Sequence, residues 1–470
     1  MSSVLVLAQD GRTAPLRTLL SHAVRSGYES MARLLLEIGH ANPNLKDKGG
    51  RTPLSYAVRS GHEGMVRLLL ETRHLNTDLA DEYGRTPLSH AAELGHEGVV
   101  RLLLGTGHAN PRLVDEDGRT PLSHSARRGH QGVVMIFLGR GDANPDSADK
   151  RGKTALSKAA RSGHEGVVKM LLERRDVNPD SVDGDGRTPL SHAAEYGGED
   201  IVKLLPERGG VSPDSVDGDR RTPPSHAAED GSEGIVKLLL ERGDVNPDSV
   251  DGAGRTPLSH AAQYGHGGVV RMLLERGDVD PDSSGQYSWT PLAYAASYGH
   301  EDVVMILLQR EDVNSDSPDS YGRTPLSYAA GSGHEGIVRL LLEMGGVNPD
   351  LADGSGRTPL SHAAEYGYEG VVKLLLEQRD VNPHSSDHRG HTPFWHAGLL
   401  CYTGVQRLLS EPRPFSHKSQ TGGLVPKISD TLSAQEGLDS GPVSEPEGTI
   451  PHRRRRITEV IPPSLFGGST

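Results

Sequence analysis

Arg85-Thr86-Pro87-Leu88-Ser89-His90-Ala91-Ala92-Glu93-Leu94-Gly95-His96-Glu97-Gly98-Val99-Val100-Arg101-Leu102-Leu103-Leu104 is the stretch that decides the fold. Thr86 is suited to cap a helix opening on Pro87, where the missing N–H of proline would have no intrahelical partner anyway. Leu88, Ala91 and Ala92 then recur at i, i+3 and i+4 and mark one helical face. Gly95 can take the left-handed conformation that ends this helix, and Val100, Leu103 and Leu104 repeat the spacing on a second one. Gly107 to Gly118 follows with turn chemistry, Asn110-Pro111 and Asp117-Gly118, and no apolar period. The unit therefore reads as two short antiparallel helices and an extended finger.

The same words recur along the chain. Arg-Thr-Pro-Leu-Ser starts at Arg51, Arg85, Arg119, Arg187, Arg255, Arg323 and Arg357, at intervals that are multiples of 34. Diverged copies start at Arg17, Lys153, Arg221, Trp289 and His391, giving twelve units from residue 17 to about 411 without insertion or deletion. One such unit cannot close a core alone, so stability must come from stacking on neighbours. The expected fold is an all-α solenoid with short β-hairpin-like fingers, a lead-in over 1–16, twelve repeats over 17–411 and a disordered tail over 412–470.

Composition agrees. Of 470 residues, 34% are hydrophobic and 58 are glycine, together about 46%, close to the ~45–50% of folded proteins. The 19 aromatic side chains leave the core to Leu, Val, Ala and Ile. The lone Cys401 excludes an intramolecular disulfide framework and a thiolate zinc cluster. The longest apolar runs, Val133 to Leu138 and Val303 to Leu308, are six residues, far short of the ~20 that cross a bilayer. Met1 to Ala8 lacks the basic start and apolar length of a signal peptide. A cytoplasmic protein without membrane contact is expected.

Thr-Pro-Leu-x-x-Ala-Ala, Gly-His, Val-Val-x-Leu-Leu-Leu, Gly-Asp-Val-Asn and Asp-Gly resemble the ankyrin repeat. Two departures stand out. The family's usual His after Thr-Pro-Leu is Ser here, as at Ser89 and Ser191, with His one place later, and each finger is one residue longer, as in Asn178-Pro179-Asp180. This version is similar to the arrays of fungal NACHT-type receptor proteins. The resemblance implies a non-enzymatic protein-binding scaffold, expected to be a monomer. A second reading is a sensor or recruiting arm of a signalling assembly whose catalytic or switch domain sits on another chain or outside this gene model.

Apparent catalytic motifs dissolve on inspection. Ser-His pairs recur from Ser21-His22 to Ser361-His362, whereas a catalytic serine sits once, beside an oxyanion hole. The histidines after the inter-helix glycine (His62, His96, His130, His164, His266, His300, His334) are placed to bond neighbouring backbone, and none is followed by a second His four residues on, so no zinc motif forms. Gly152-Lys153-Thr154 imitates the end of a phosphate loop, but Ser147 stands where its first glycine is required. No cofactor and no metal are expected. The net charge is −13, and the tail holds seven basic and six acidic side chains, leaving about −14 for residues 1–411. Nonspecific nucleic-acid binding is disfavoured. Within the tail, Arg453 to Arg456 reads as a solvated charge run or, alternatively, a nuclear-import patch.

Among near-identical units, the positions that vary are those the fold leaves free. The two residues after Ala-Ala vary most, and the resemblance puts them on the concave side beside the fingers. Arg127, Arg128, Arg161, Glu195, Tyr196, Gln263, Tyr264, Ser297, Tyr298, Glu365 and Tyr366 are accordingly the candidate partner-binding residues. The first of the two positions is Arg at Arg25, Arg59, Arg127 and Arg161 and becomes Glu at Glu195, Glu229 and Glu365. Finger tips follow the trend, from Lys46, Lys48, Lys150 and Arg151 to Asp180, Asp183 and Asp185. A groove with a basic N-terminal and an acidic, aromatic C-terminal half is expected. Finally, Pro206, Arg220 and Pro224 break the unit pattern close together and predict a weak joint between units six and seven.

Overall fold

The computed structural model describes residues 13–37 and 41–411. The start of the lead-in, the tail and its Arg453–Arg456 run lie outside the described residues. Among the described residues there are 24 helices in twelve pairs and no strand. None of these helices is long and apolar enough to cross a membrane. The first helix, Thr13–Arg25, begins inside the expected lead-in and has 13 residues, against eight for its counterpart Pro87–Leu94.

Each unit is built as its sequence dictates. The hydroxyl of Thr86 accepts from the backbone N–H of Ser89 at 3.2 Å, and Pro87 opens the helix. Ser89 turns its own hydroxyl to Thr86 at 3.1 Å. Gly95 ends the helix at φ 76°. Leu88, Ala91, Ala92, Val100 and Leu103 are buried completely, each leucine contributing roughly 1.5–3 kcal/mol. Because every unit presents the same two faces, buried side chains from Leu20 to Leu409 join in one core.

The fingers are stacked turns instead of hairpin strands. Within one finger the N–H of Asp81 donates to the carbonyl of Arg85 at 3.0 Å, and Gly84 donates to Asp81 at 3.0 Å. A backbone bond then links successive fingers, as from Glu82 to Gly49 at 3.1 Å and from Gly184 to Arg151 at 2.7 Å. One rung per unit ties neighbours together without making a strand ladder.

The second histidine set supplies a further tie. His130 Nε2 bonds the carbonyl of Glu93 at 2.9 Å, and His164, His266, His300 and His334 do the same to Arg127, Glu229, Gln263 and Ser297 at 2.9–3.1 Å. The ring lies so close over the preceding glycine that a Cβ on Gly95 would fall 2.6 Å from His130 Nδ1. A substitution there meets both a steric clash and a positive φ. Arginines add a parallel staple: Arg174, Arg276 and Arg310 donate to the carbonyls of Leu138, Leu240 and Leu274 at 2.7–3.0 Å.

The two junctions of unit six, with unit five before it and unit seven after it, lack these ties. Gly198 and Ser232 stand where the imidazole should be, and nothing lies within 4 Å of a Cβ built on Gly163 or Gly197. Pro206 is the penultimate residue of the helix Glu199–Glu207 and removes the bond its N–H would give Val202. Pro224 sits in the first turn of Pro223–Asp230, where no N–H is required, so its defect is the loss of a buried leucine's volume. Arg220 is held at φ 61° where neighbouring fingers carry glycine. In a solenoid, stability is a sum of local and nearest-neighbour terms, so clustered defects uncouple the halves.

We expect two-step denaturant unfolding, with hydrogen exchange among internal units fastest over residues 203–226. Pro206→Leu with Pro224→Leu, and further with Gly198→His and Ser232→His, should merge the steps. Uniform protection across this junction in the unchanged protein overturns the weak joint.

Candidate protein-binding groove

The groove rests on a buried polar knot that recurs along most of the array. Asp81 Oδ1 accepts from the backbone N–H groups of Tyr83 and Arg85, both at 3.0 Å. Its Oδ2 accepts from His90 Nε2 at 2.9 Å, with both side chains almost fully buried. His124–Asp115, His192–Asp183, His226–Asp217, His260–Asp251, His362–Asp353 and His396–Asp387 repeat the bond at 2.9–3.2 Å. Each histidine lies nine residues after its aspartate, so the knot fastens the finger to the first helix.

This geometry is unlike that of a hydrolase. Ser89 is engaged with Thr86 in the helix cap, and His90 gives Nε2 to the carboxylate. The buried Nδ1 atoms of His124, His192, His260 and His396 meet no partner, so these rings have no serine hydroxyl to deprotonate. Among the described residues no group of three His, Cys, Asp or Glu side chains converges on a metal position.

Above the knots, the first residue after Ala-Ala meets the arginine that opens its own unit. Arg187 donates to Glu195 at 2.7 Å, Arg221 to Glu229 at 2.7 Å, Arg357 to Glu365 at 2.8 Å and Arg255 to Gln263 at 3.2 Å. The Glu195 and Glu365 carboxylates are thus neutralised locally. Asp183 is buried against His192, and Asp180 is half-buried, its carboxyl pushed up by that burial although the Ser212 N–H and Ser215 bond it. In the C-terminal half of the groove the glutamates after Ala-Ala are thus paired within their own units, beside the exposed tyrosines.

The N-terminal half differs. Arg127, Arg128 and Arg85 all converge on Glu93, at 3.1, 3.0 and 2.9 Å. Burial opposes ionisation of Glu93, but the Arg128 bond and the charge of Arg85 outweigh it and hold the carboxyl below its ordinary value. Arg161 reaches forward to the next unit, donating to the Tyr196 hydroxyl at 2.7 Å with its guanidinium 4.8 Å from the ring centre.

Tyr196, Tyr264 and Tyr298 are each about 40% exposed, and Tyr366 is half-buried. The Tyr264 hydroxyl donates to Glu229 at 3.3 Å, and burial followed by that carboxylate's charge raises its pKa. Ser297 is only 2% exposed: its one-carbon side chain does not reach the surface that Glu195 reaches from the same position. The sequence reading also passed over Tyr83, Tyr287 and Tyr321, which are more than half exposed on the fingers, the last two with ring centres 6.4 Å apart. Their signal was present, because the residue before the finger glycine varies as freely as the two after Ala-Ala.

A family model described as ankyrin repeats (three copies) matches residues 20–111, 107–183, 141–217, 207–284, 277–353 and 344–418. The chain belongs to the ankyrin repeat family. No curated protein gives a match. Ankyrin repeats generally mediate protein–protein interaction and are typically non-enzymatic.

The knots of His90, His192, His260 and His396 lead us to expect acid sensitivity of this ankyrin array. Burial holds His90, His192, His260 and His396 below the ordinary imidazole value of 6.5, against the pull of their aspartates. For Asp115 burial works upward but is outweighed by the His124 and Arg119 bonds, which bring the carboxyl down to about 2. A histidine whose folded value lies below its unfolded one contributes fully above about pH 6.5, and that contribution is lost as pH falls; the aspartates add a second loss below about pH 4. Tyrosine serves the same bond naturally at Tyr56–Asp47 and Tyr328–Asp319.

His192→Tyr, which faces Asp183, Lys153 and Glu195, should therefore shrink the fall in stability between pH 7 and pH 5, by at most about 1.4 kcal/mol per pH unit. Urea unfolding at the two pH values reads the difference; an unchanged fall overturns the role assigned to this imidazole.

Proposed function

We propose that the protein is a non-enzymatic scaffold that holds protein partners along the concave groove, with Tyr196, Tyr264, Tyr298 and Tyr366 as its main contacts in the C-terminal half. The supporting observation is that large, partly exposed rings with polar tips recur at one unit position, Tyr196 and Tyr366 beside glutamate–arginine clamps of their own units and Tyr264 bonded to Glu229 of the unit before. Tyrosine offers wide contact area for little conformational entropy, which suits such a surface. Arg127, Arg128 and Arg161 extend the surface towards the first units. The reading places the scaffold in the cytoplasm as a monomer.

Tyr264→Ala with Tyr298→Ala should weaken capture of the partner from native cell extract, scored by mass spectrometry. Thermal unfolding should stay nearly unchanged, since exposed positions seldom shift stability beyond about 0.5 kcal/mol. Normal capture by the double variant removes the tyrosine stripe. Esterase or peptidase turnover that disappears on changing one Ser or His would overturn the scaffold reading itself.

A further inference from the structure

Two open clefts run over the first units. One, of about 250 Å³, is lined by Arg25, Arg51, Tyr56, Arg59 and Ser60. The other, of about 540 Å³, is lined by Arg59, Arg85, Arg128, His90, His130, Leu94 and Glu93. Arg59 borders both, so the two form one path across units one to four. Arg25 and Arg59 are exposed, and the Arg128 side chain is 54% exposed.

What separates this path from the rest of the groove is unbalanced charge. Arg187, Arg221 and Arg357 each have a glutamate in their own unit. Among the described residues, Arg25, Arg51 and Arg59 form no ion pair. Arg25 lies 6.0 Å from the Tyr56 ring centre, and Arg59 donates to His90 Nδ1 at 3.4 Å. The residues lining the two clefts thus include five arginines and one carboxylate, Glu93, which Arg85 and Arg128 already bond, while the charge of Arg51 helps to lower the Asp47 carboxyl. The Asp47 and Asp81 carboxylates face inward, engaged by Tyr56 and His90.

We propose that this path binds an extended acidic segment of a partner protein, its glutamate or aspartate carboxylates seated on Arg25, Arg59 and Arg128. Guanidinium groups present forked donors that match carboxylates bidentately. Neighbouring units lie roughly 9–10 Å apart by ordinary helix packing, and an extended chain advances about 3.3 Å per residue. Carboxylates at i, i+3 and i+9 therefore stay in step with Arg25, Arg59 and Arg128, and a series at every third residue contains them. The overall charge of −13 disfavours a nucleic acid, because its backbone would meet the acidic remainder of the array. The proposal rests on the groove reading above and names the partner chemistry at its N-terminal end.

The test is fluorescence anisotropy of the full-length protein with a labelled peptide carrying glutamate at every third position in a glycine–serine background. The glutamine version should bind at least tenfold more weakly, and affinity should fall with added salt. Arg25→Gln with Arg59→Gln and Arg128→Gln should abolish the preference. The control Lys169→Gln with Lys203→Gln and Lys237→Gln removes the same charge from exposed sites on second helices and should retain it. Equal binding of both peptides, equal loss in both triple variants, or tighter binding of a phosphoserine version or of oligouridylate overturns the proposal. So does displacement of the glutamate peptide by a submicromolar synthetic copy of residues 428–450, which would assign the clefts to the chain's own tail. Such failures would leave the tyrosine test untouched, since Tyr264 and Tyr298 lie in later units.

Discussion

The buried aspartate of the finger is the constraint on which the rest of the array depends. A carboxylate at 5% exposure, such as Asp115, is tolerable only if its oxygens are satisfied. Asp115 achieves this with two backbone N–H groups of its own turn and one imidazole from the helix that follows. The same three bonds fold the finger back, fix its turn glycine and aim the opening arginine towards the groove. The array therefore carries its most expensive buried groups directly beneath the groove.

Where this knot is abandoned, it is abandoned as a set. Where the finger of unit eight meets unit nine, Gly285 replaces the aspartate, Trp289 the arginine and Tyr294 the histidine. Trp289 then packs with Tyr294 and Tyr328 at ring-centre distances of 5.0 and 4.2 Å, forming a small aromatic cluster. Burial raises the Tyr294 hydroxyl to about 12. Losing only one member would strand a buried charge or donor, so the coordinated exchange follows from the cost of an unsatisfied group. Unit five solves the problem differently, with Lys158 donating to Asp149 at 2.8 Å.

Helices, caps and core were legible because each unit repeats the same local instructions, and Thr86, Pro87, Leu88 and Gly95 act within their own turns. Fingers were not, since a single rung between Glu82 and Gly49 depends on stacking that no local alternation encodes. The pairing of Asp81 with His90 also escaped reading, because it exists only once the finger folds back. For the groove, variability singled out Tyr264 and Tyr298, which the fold leaves about 40% exposed. It could not show that Glu195 is clamped by Arg187 or that Ser297 is buried, because both depend on which side chains the folded unit brings together.

That difference explains why the two ends of one repeated framework diverge. A glutamate after Ala-Ala closes an ion pair within its unit, leaving a surface on which exposed tyrosines dominate. An arginine at the same position leaves two cations in one unit, as with Arg51 and Arg59. Neighbouring units then compete for what acid remains, and Glu93 serves three guanidinium groups at once. Such repulsion among half-exposed charges is mild in water but is relieved by any anion placed between them. The fold tolerates the imbalance because these side chains lie outside the buried knot. The substitution that costs the framework least is thus also the one that gives its first units a chemical preference.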